Sequence, residues 1–189
     1  MAIKFFQLIM LFSISCTIAQ NKEDENWCLY DGSNTQIIKI NGSGSFEIEE
    51  FRIRVIWDEK LSHSENLGYY GGIAEMIIYK GDQTIFTGIN IEDGIALGTI
   101  NLTFYDYNLD GHIDFTIPID CGRSCYDKYY LFDPVKNIFL HASDWDYLRI
   151  QKLNKVKKQL IAQPEGNAMD TVNKLFQING LDLTELNKV

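Results

Sequence analysis

The stretch that decides the fold, residues 101–117, reads NLTFYDYNLDGHIDFTI. Apolar and polar residues alternate at both of its ends, at Leu102 and Phe104 on one side and at Phe115 and Ile117 on the other. Side chains two residues apart lie on one face of a β-strand, so the pattern predicts strands over residues 97–105 and 113–119. The centre, residues 106–114, follows D-x-N-x-D-G-x-x-D and predicts a tight, oxygen-rich loop between them.

This loop carries the donor atoms that a hard cation prefers. Ca²⁺ takes six to eight oxygen ligands at about 2.3–2.6 Å from carboxylates, amides and backbone carbonyls. Gly111 allows the sharp bend that brings the two halves of the loop together. The sequence therefore predicts a structural Ca²⁺ site, whose ligands are the side chains of Asp106, Asn108, Asp110 and Asp114 and the backbone carbonyl of His112.

The loop is not an EF-hand. Ile117 occupies the position at which an EF-hand has its bidentate glutamate, and strands stand where an EF-hand has helices. A structural ion is therefore a better interpretation than a calcium switch.

The rest of the chain indicates a domain built from strands. Runs rich in Ile, Tyr, Phe and Thr recur roughly every 8–12 residues between turn residues. We predict one all-β, mostly antiparallel domain over residues 20–189, sandwich-like or an incomplete propeller, with at most one short helix. Residues 149–163 are ambiguous: Ile150, Leu153, Val156 and Leu160 have near-helical spacing, whereas Asn154-Lys155 could be a turn between two strands.

Residues 1–19 have the features of a signal peptide. Lys4 precedes an apolar run over residues 5–14, and the small residues Thr17 and Ala19 favour cleavage before Gln20. The apolar run is too short to span a bilayer, and no other run is long enough. We therefore predict an exported protein, periplasmic or secreted, that is not transmembrane. Lipidation of Cys16 is the alternative.

Three further cysteines follow: Cys28, Cys121 and Cys125. An exported compartment permits disulfides. Cys121 and Cys125 could close a small loop between two strands and are the candidate pair, but Cys28 could also pair with either of them.

The chain is acidic, with 17 Lys and Arg against 26 Asp and Glu and a formal net charge of −9. Binding to nucleic-acid phosphates needs clustered cations, so this balance argues against a nucleic-acid partner. It suits divalent cations or a cationic protein partner. Five basic residues within 149–158 are an exception, which we interpret as a solvated face beside acidic neighbours.

No catalytic motif is present, and we predict that the protein is not an enzyme. The three histidines are scattered, and the sequence has no G-x-S-x-G, H-E-x-x-H or phosphate-binding glycine motif. Asp144 and Asp146 could mimic a glycosidase pair, but two acids in one turn are common. Aromatic residues offer an alternative function, a carbohydrate- or cell-surface-binding module, through Trp57, Tyr69, Tyr70 and Trp145.

The loop resembles the calcium loops of FG-GAP/VCBS repeats of the integrin propeller type, whose pattern it meets at every defined position. Downstream, Tyr129-Tyr130-Leu131-Phe132-Asp133-Pro134 followed by Asn137-Ile138-Phe139 resembles a hairpin of exported bacterial β-proteins similar to periplasmic immunity proteins. The resemblance covers residues 97–186. It implies one structural Ca²⁺ loop and, as the partner, a cationic peptidoglycan hydrolase, but it identifies no inhibitory loop.

Overall fold

The computed structural model describes residues 26–121, 125–163 and 172–188. The predicted signal peptide and Cys16 lie outside these residues. The described chain forms short strands and one 3₁₀ turn, Ser143–Trp145. In chain order the strands are β1 (Trp27–Leu29), β2 (Gln36–Ile40), β3 (Gly44–Ile48), β4 (Phe51–Asp58), β5 (His63–Ser64), β6 (Gly68–Tyr69), β7 (Gly72–Lys80), β8 (Gln83–Glu92), β9 (Ile100–Tyr105), β10 (Asp114–Cys121), β11 (Cys125–Asp133), β12 (Ile138–His141), β13 (Arg149–Asn154), β14 (Gln159–Gln163), β15 (Lys174–Asn179) and β16 (Asp182–Lys188).

The strands form three larger sheets, all antiparallel. Sheet I has the order β3-β4-β7-β8, sheet II the order β2-β9-β10-β11-β12, and sheet III the order β1-β13-β14-β15-β16, while β5 and β6 make a separate pair. The described residues form no closed barrel and no helix of seven residues or more. The predicted all-β, mostly antiparallel, sandwich-like domain is confirmed.

Sheet II is a middle layer with a hydrophobic core on each face. The first core joins sheets I and II and includes Phe132, whereas the second joins sheets II and III and includes Tyr129 and Leu131. Successive side chains of β11 therefore point into different cores. A strand buried on both faces reads as a continuous apolar run, and this accounts for Tyr129-Tyr130-Leu131-Phe132.

The ambiguous segment is a β-hairpin, not a helix. Strands β13 and β14 flank a turn over residues 155–158. The register of the pair shifts between Ile150 and Lys152, so Ile150 and Leu153 are both buried although they lie three residues apart. This bulge imitates helical spacing, whereas Val156 lies in the turn and is 75% exposed.

Strand β9 begins three residues later than predicted, at Ile100 instead of Leu97. The carboxylate of Asp93, which is buried, accepts hydrogen bonds from the amides of Leu97, Gly98 and Thr99 at 2.7–3.2 Å. These amides are therefore committed to a side chain, and the regular ladder starts only after them.

Candidate cation site

The predicted cation loop connects neighbouring strands of the middle sheet. Strand β9 ends at Tyr105, β10 begins at Asp114, and these two residues are paired in the ladder. The loop is therefore anchored at both ends by regular backbone hydrogen bonds, and residues 106–113 must turn within that short span.

Side chains at the first, third and fifth loop positions shape the turn. Asp106 Oδ2 accepts from the amide of Gly111 at 3.1 Å, and Asn108 Oδ1 accepts from the amide of Asp110 at 3.1 Å. Asp110 Oδ1 accepts from the amide of His112 at 2.8 Å, and Asp110 Oδ2 accepts from Asn108 Nδ2 at 3.0 Å. The side chains of Asp106, Asn108 and Asp110 thus hold the turn by accepting hydrogen bonds from amides later in the loop, and those of Asn108 and Asp110 are bonded to each other.

One oxygen in this arrangement is not satisfied. Asp106 Oδ1 is buried and has no hydrogen-bond partner. Burial raises the pKa of Asp106, the Gly111 amide opposes this rise, the charge of Asp110 adds to it, and the charge of Lys155 opposes it. An unpaired buried carboxylate oxygen is costly, and a cation bound at Oδ1 would relieve that cost.

Asp114 connects the loop to the neighbouring strand. Its side chain is fully buried, and Oδ2 accepts from the amides of Tyr107 at 2.8 Å and Asn108 at 3.3 Å. Oδ1 accepts from the amide of Phe132 in β11 at 2.8 Å. Burial raises the pKa of Asp114 well above its usual range, while the Phe132 and Asn108 amides oppose the rise. Asp114 therefore organises the backbone, whether or not it also binds an ion.

The second and fourth residues of the loop are part of the hydrophobic core. Tyr107 and Leu109 are 1% and 4% exposed and belong to the second core. The ammonium group of Lys158 donates a hydrogen bond to the backbone carbonyl of Leu109. The loop therefore places polar donors on one side and core residues on the other, and it joins sheets II and III.

The remaining predicted ligand, His112, lies beside strand β11. Its ring packs on Phe132 with centroids 5.5 Å apart, and its amide is bound by Asp110. The imidazole therefore makes an aromatic contact, while the backbone carbonyl is the atom predicted to bind the ion.

The predicted ligand atoms are all oxygens, as an oxygen-liganded cation requires. In the described part of the chain, no three His, Cys, Asp or Glu side chains form a metal-binding group. The predicted set contains three carboxylates, those of Asp106, Asp110 and Asp114, and in this structure they do not form such a group; its other two ligands are an amide and a backbone carbonyl. Its oxygen-only chemistry, together with the orphaned Asp106 Oδ1, matches the preference of Ca²⁺.

The cysteines among the described residues are not free. Cys28 and Cys125 are both disulfide-bonded. Cys121 lies opposite Cys125 in the β10–β11 ladder, but the Cys121 side chain lies outside the described residues. The predicted pairing of Cys121 with Cys125 therefore stays a prediction.

The other candidate residues do not converge on one site. Trp145 is fully buried, and its Nε1 donates to the carbonyl of Leu181 at 2.8 Å, so it cannot face a glycan. Asp146 accepts from the amide of Tyr129 at 3.1 Å and contacts His141 Nε2 at 2.7 Å. The Asp146 carboxylate thus holds the 3₁₀ turn against β11.

Two carboxylates, the buried Asp93 and the half-buried Asp127, had no distinct signal in the sequence. Asp93 binds four backbone amides, those of residues 95 and 97–99, and the only hint was its place before Gly94 in a turn. Burial in β11 raises the pKa of Asp127 to about 6. An acid within a strand pattern gives no sign that the fold buries it.

No helix in the described ranges is long and apolar enough to cross a membrane.

Comparison with known proteins found no match: no family model, curated protein or solved structure matches the chain.

Proposed function

We propose that the chain is an exported β-domain that one structural Ca²⁺ stabilises and that binds a protein partner. The observation that carries the calcium part is the buried, unpartnered Oδ1 of Asp106, in a loop whose other carboxylate oxygens accept hydrogen bonds. Ca²⁺ would bind Asp106, Asn108, Asp110 and Asp114 and the carbonyl of His112.

The ion would help to hold sheets II and III together. Its ligands alternate along the loop with Tyr107 and Leu109, which are buried in the core between sheets II and III. Fixing the ligands therefore also fixes these two core residues. Extracellular calcium modules bind at roughly 10⁻⁴–10⁻³ M, an affinity sufficient for a permanently occupied structural site outside the cell.

The protein-binding part of the proposal is supported by charge and by resemblance. A net charge of −9 favours encounter with a cationic protein. Residues 106–114 and 129–139 resemble exported immunity proteins, whose partners are peptidoglycan hydrolases. We therefore propose a cationic cell-wall hydrolase as the partner and inhibition as the outcome of binding.

The test is a binding and inhibition panel with the mature chain in 2 mM Ca²⁺, a concentration about twice the upper end of the expected dissociation constant. Cationic peptidoglycan hydrolases of several classes are compared with size-matched acidic proteins, at low and at physiological salt. The proposal predicts saturable binding to at least one hydrolase and slower lysis of cell-wall substrate. Absence of binding and of protection across the panel would reject it.

A carbohydrate-binding surface is the second candidate, and one observation favours it. Tyr69 is 62% exposed on the β5–β6 hairpin and packs against His63, with ring centroids 4.8 Å apart and the rings tilted by 57°. Glycan-array binding that Tyr69→Ala abolishes would support this function. An array on which no glycan binds would reject the carbohydrate-binding function.

A further inference from the structure

The turn over residues 155–158 is held firmly by its neighbours. The amide of Lys157 donates to Oδ1 of Asn154, a buried side chain, at 3.0 Å. From β15, the amide of Ile178 donates to the carbonyl of Lys158 at 2.8 Å. Gln177 Nε2 donates to the carbonyls of Lys157 and Lys158 at 3.0 and 2.9 Å. The start of the Lys158 side chain therefore has a fixed position.

From this turn, Lys158 reaches the centre of the cation loop. Its ammonium group donates to the carbonyl of Leu109, the residue between Asn108 and Asp110. Leu109 has a φ of +61°, in the left-handed region that leucine rarely adopts. A backbone conformation of this kind is strained and persists only where surrounding contacts hold it.

Two contacts hold Leu109 in this conformation. Its side chain is buried in the second core, and its carbonyl binds the Lys158 ammonium. A hydrogen bond from a charged donor is stronger than one between neutral groups. The adjacent Asn108 and Asp110 side chains project from a backbone that this contact fixes.

We propose that Lys158 is a positioning residue for the cation loop. Its ammonium group holds the Leu109 carbonyl and keeps Asn108 and Asp110 in their ion-binding arrangement before an ion arrives. The effect on Ca²⁺ affinity rests on the proposed function, whereas the effect on the loop backbone does not.

The test compares Lys158→Met with Lys157→Met in the full mature chain. Both residues are exposed and both changes remove one positive charge from the same turn, but the Lys157 side chain makes no hydrogen bond or ion pair within the described residues. Hydrogen exchange in chelator measures the amides of residues 107–112, and calorimetry measures Ca²⁺ affinity. Lys158→Arg, which keeps the charge and a donor, is the rescue variant.

Lys158→Met is expected to speed exchange of these amides about tenfold and to weaken Ca²⁺ binding about tenfold, the typical loss for one hydrogen bond to a charged group. Lys157→Met should leave exchange unchanged and bind Ca²⁺ equally or slightly more tightly. Removing a cation near the site favours Ca²⁺ electrostatically, so weaker binding identifies positioning.

The inference is overturned if Lys158→Met exchanges like Lys157→Met, or if it binds Ca²⁺ more tightly than the wild type does. A wild-type protein that binds no Ca²⁺ would reject the calcium function alone, and the exchange comparison would still decide the role of Lys158. If Lys158→Met does not fold, Lys158→Gln takes its place, because it removes the positive charge of the donor and keeps a polar side chain.

Discussion

At the residue scale, Asp114 combines two roles that the loop pattern alone does not separate. The pattern assigns it to the ion, but its two oxygens accept three backbone amides, and one of these belongs to β11. A side chain of this kind defines the fold even in the absence of an ion. Asp110 differs, because it is exposed and its hydrogen bonds stay within the loop.

This contrast gives a prediction. Asp114→Asn replaces one of the two accepting oxygens with an NH₂ group, so at least one of the three amides loses its acceptor. The change should destabilise the protein by roughly 1.5–3 kcal/mol, with or without Ca²⁺. Asp110→Asn should have little effect in chelator but should reduce the stabilisation that Ca²⁺ gives. Urea denaturation of both variants in EDTA and in Ca²⁺ provides the measurement. Equal behaviour of the two variants in EDTA would contradict the structural role of Asp114.

Asp127 gives a pH prediction that is independent of the loop. Burial raises its pKa from 3.8 to about 6, and the side chains of Tyr30 and Tyr129 interact with its charge. The folded state therefore holds this proton more tightly than the unfolded state does. The contribution of Asp127 to the free energy of unfolding is fully present below about pH 4 and is lost as the pH rises through about 6.

Asp127→Asn should accordingly raise the free energy of unfolding by about 2–3 kcal/mol at pH 7.5 and change it little at pH 4. Chemical denaturation of wild type and variant at both pH values, in chelator, measures the difference. A variant that is destabilised equally at both pH values would show that the Asp127 carboxylate is needed as an acceptor.

At the element scale, close backbone contacts position the strands around the loop. Gly94, in the connection after β8, lies so near β10 that a Cβ atom there would be 1.7 Å from the carbonyl oxygen of Ile119. No other residue fits without moving one of the two segments. Gly42, in the turn before β3, has no atom within 4 Å of the corresponding position.

Gly94→Ala should therefore destabilise the protein by about 1–3 kcal/mol, the usual cost of overpacking, and any rearrangement of β10 would add to this cost. Gly42→Ala is the matched control and should change stability by less than about 0.5 kcal/mol. Thermal melts of the two variants test this. A Gly94→Ala protein as stable as the control would mean that the connection and β10 are not in contact.

The strands themselves were largely predictable, because apolar alternation follows directly from the geometry of a half-buried strand. Residues 149–163 could not be assigned, since the bulge at Ile150 shifts the alternation into helical spacing. The start of β9 could not be predicted either. It depends on Asp93, a side-chain acceptor that competes with the ladder for amides and leaves no periodic signal.

At the scale of the whole molecule, the order of the sheets depends on contacts between distant parts of the chain. β1 pairs with β13, and β2 pairs with β9. Local alternation shows that a strand forms but not which strand it meets. The middle position of sheet II was also not predictable, although the continuous apolar run in β11 is its trace in the sequence.

The turn of the candidate loop follows from the sequence more directly than the topology does, because its hydrogen bonds are local. Asp106, Asn108 and Asp110 each accept a hydrogen bond from a backbone amide two to five residues later. What the pattern could not show is the connection of the loop to other elements: Asp114 to β11, Leu109 to the second core, and Lys158 from sheet III. These contacts make the loop a junction between sheets II and III.

The central claim is that this junction holds a Ca²⁺ ion, and calcium titration of the mature chain tests it most directly. The expected result is one saturable site with a dissociation constant of roughly 10⁻⁴–10⁻³ M. At 10 mM Ca²⁺ the ion should then stabilise the fold by about 1.4–2.7 kcal/mol relative to chelator. Asp106→Asn should abolish both effects. A wild-type protein that shows no saturable binding, and melts at the same temperature in Ca²⁺ and in EDTA, would contradict the account.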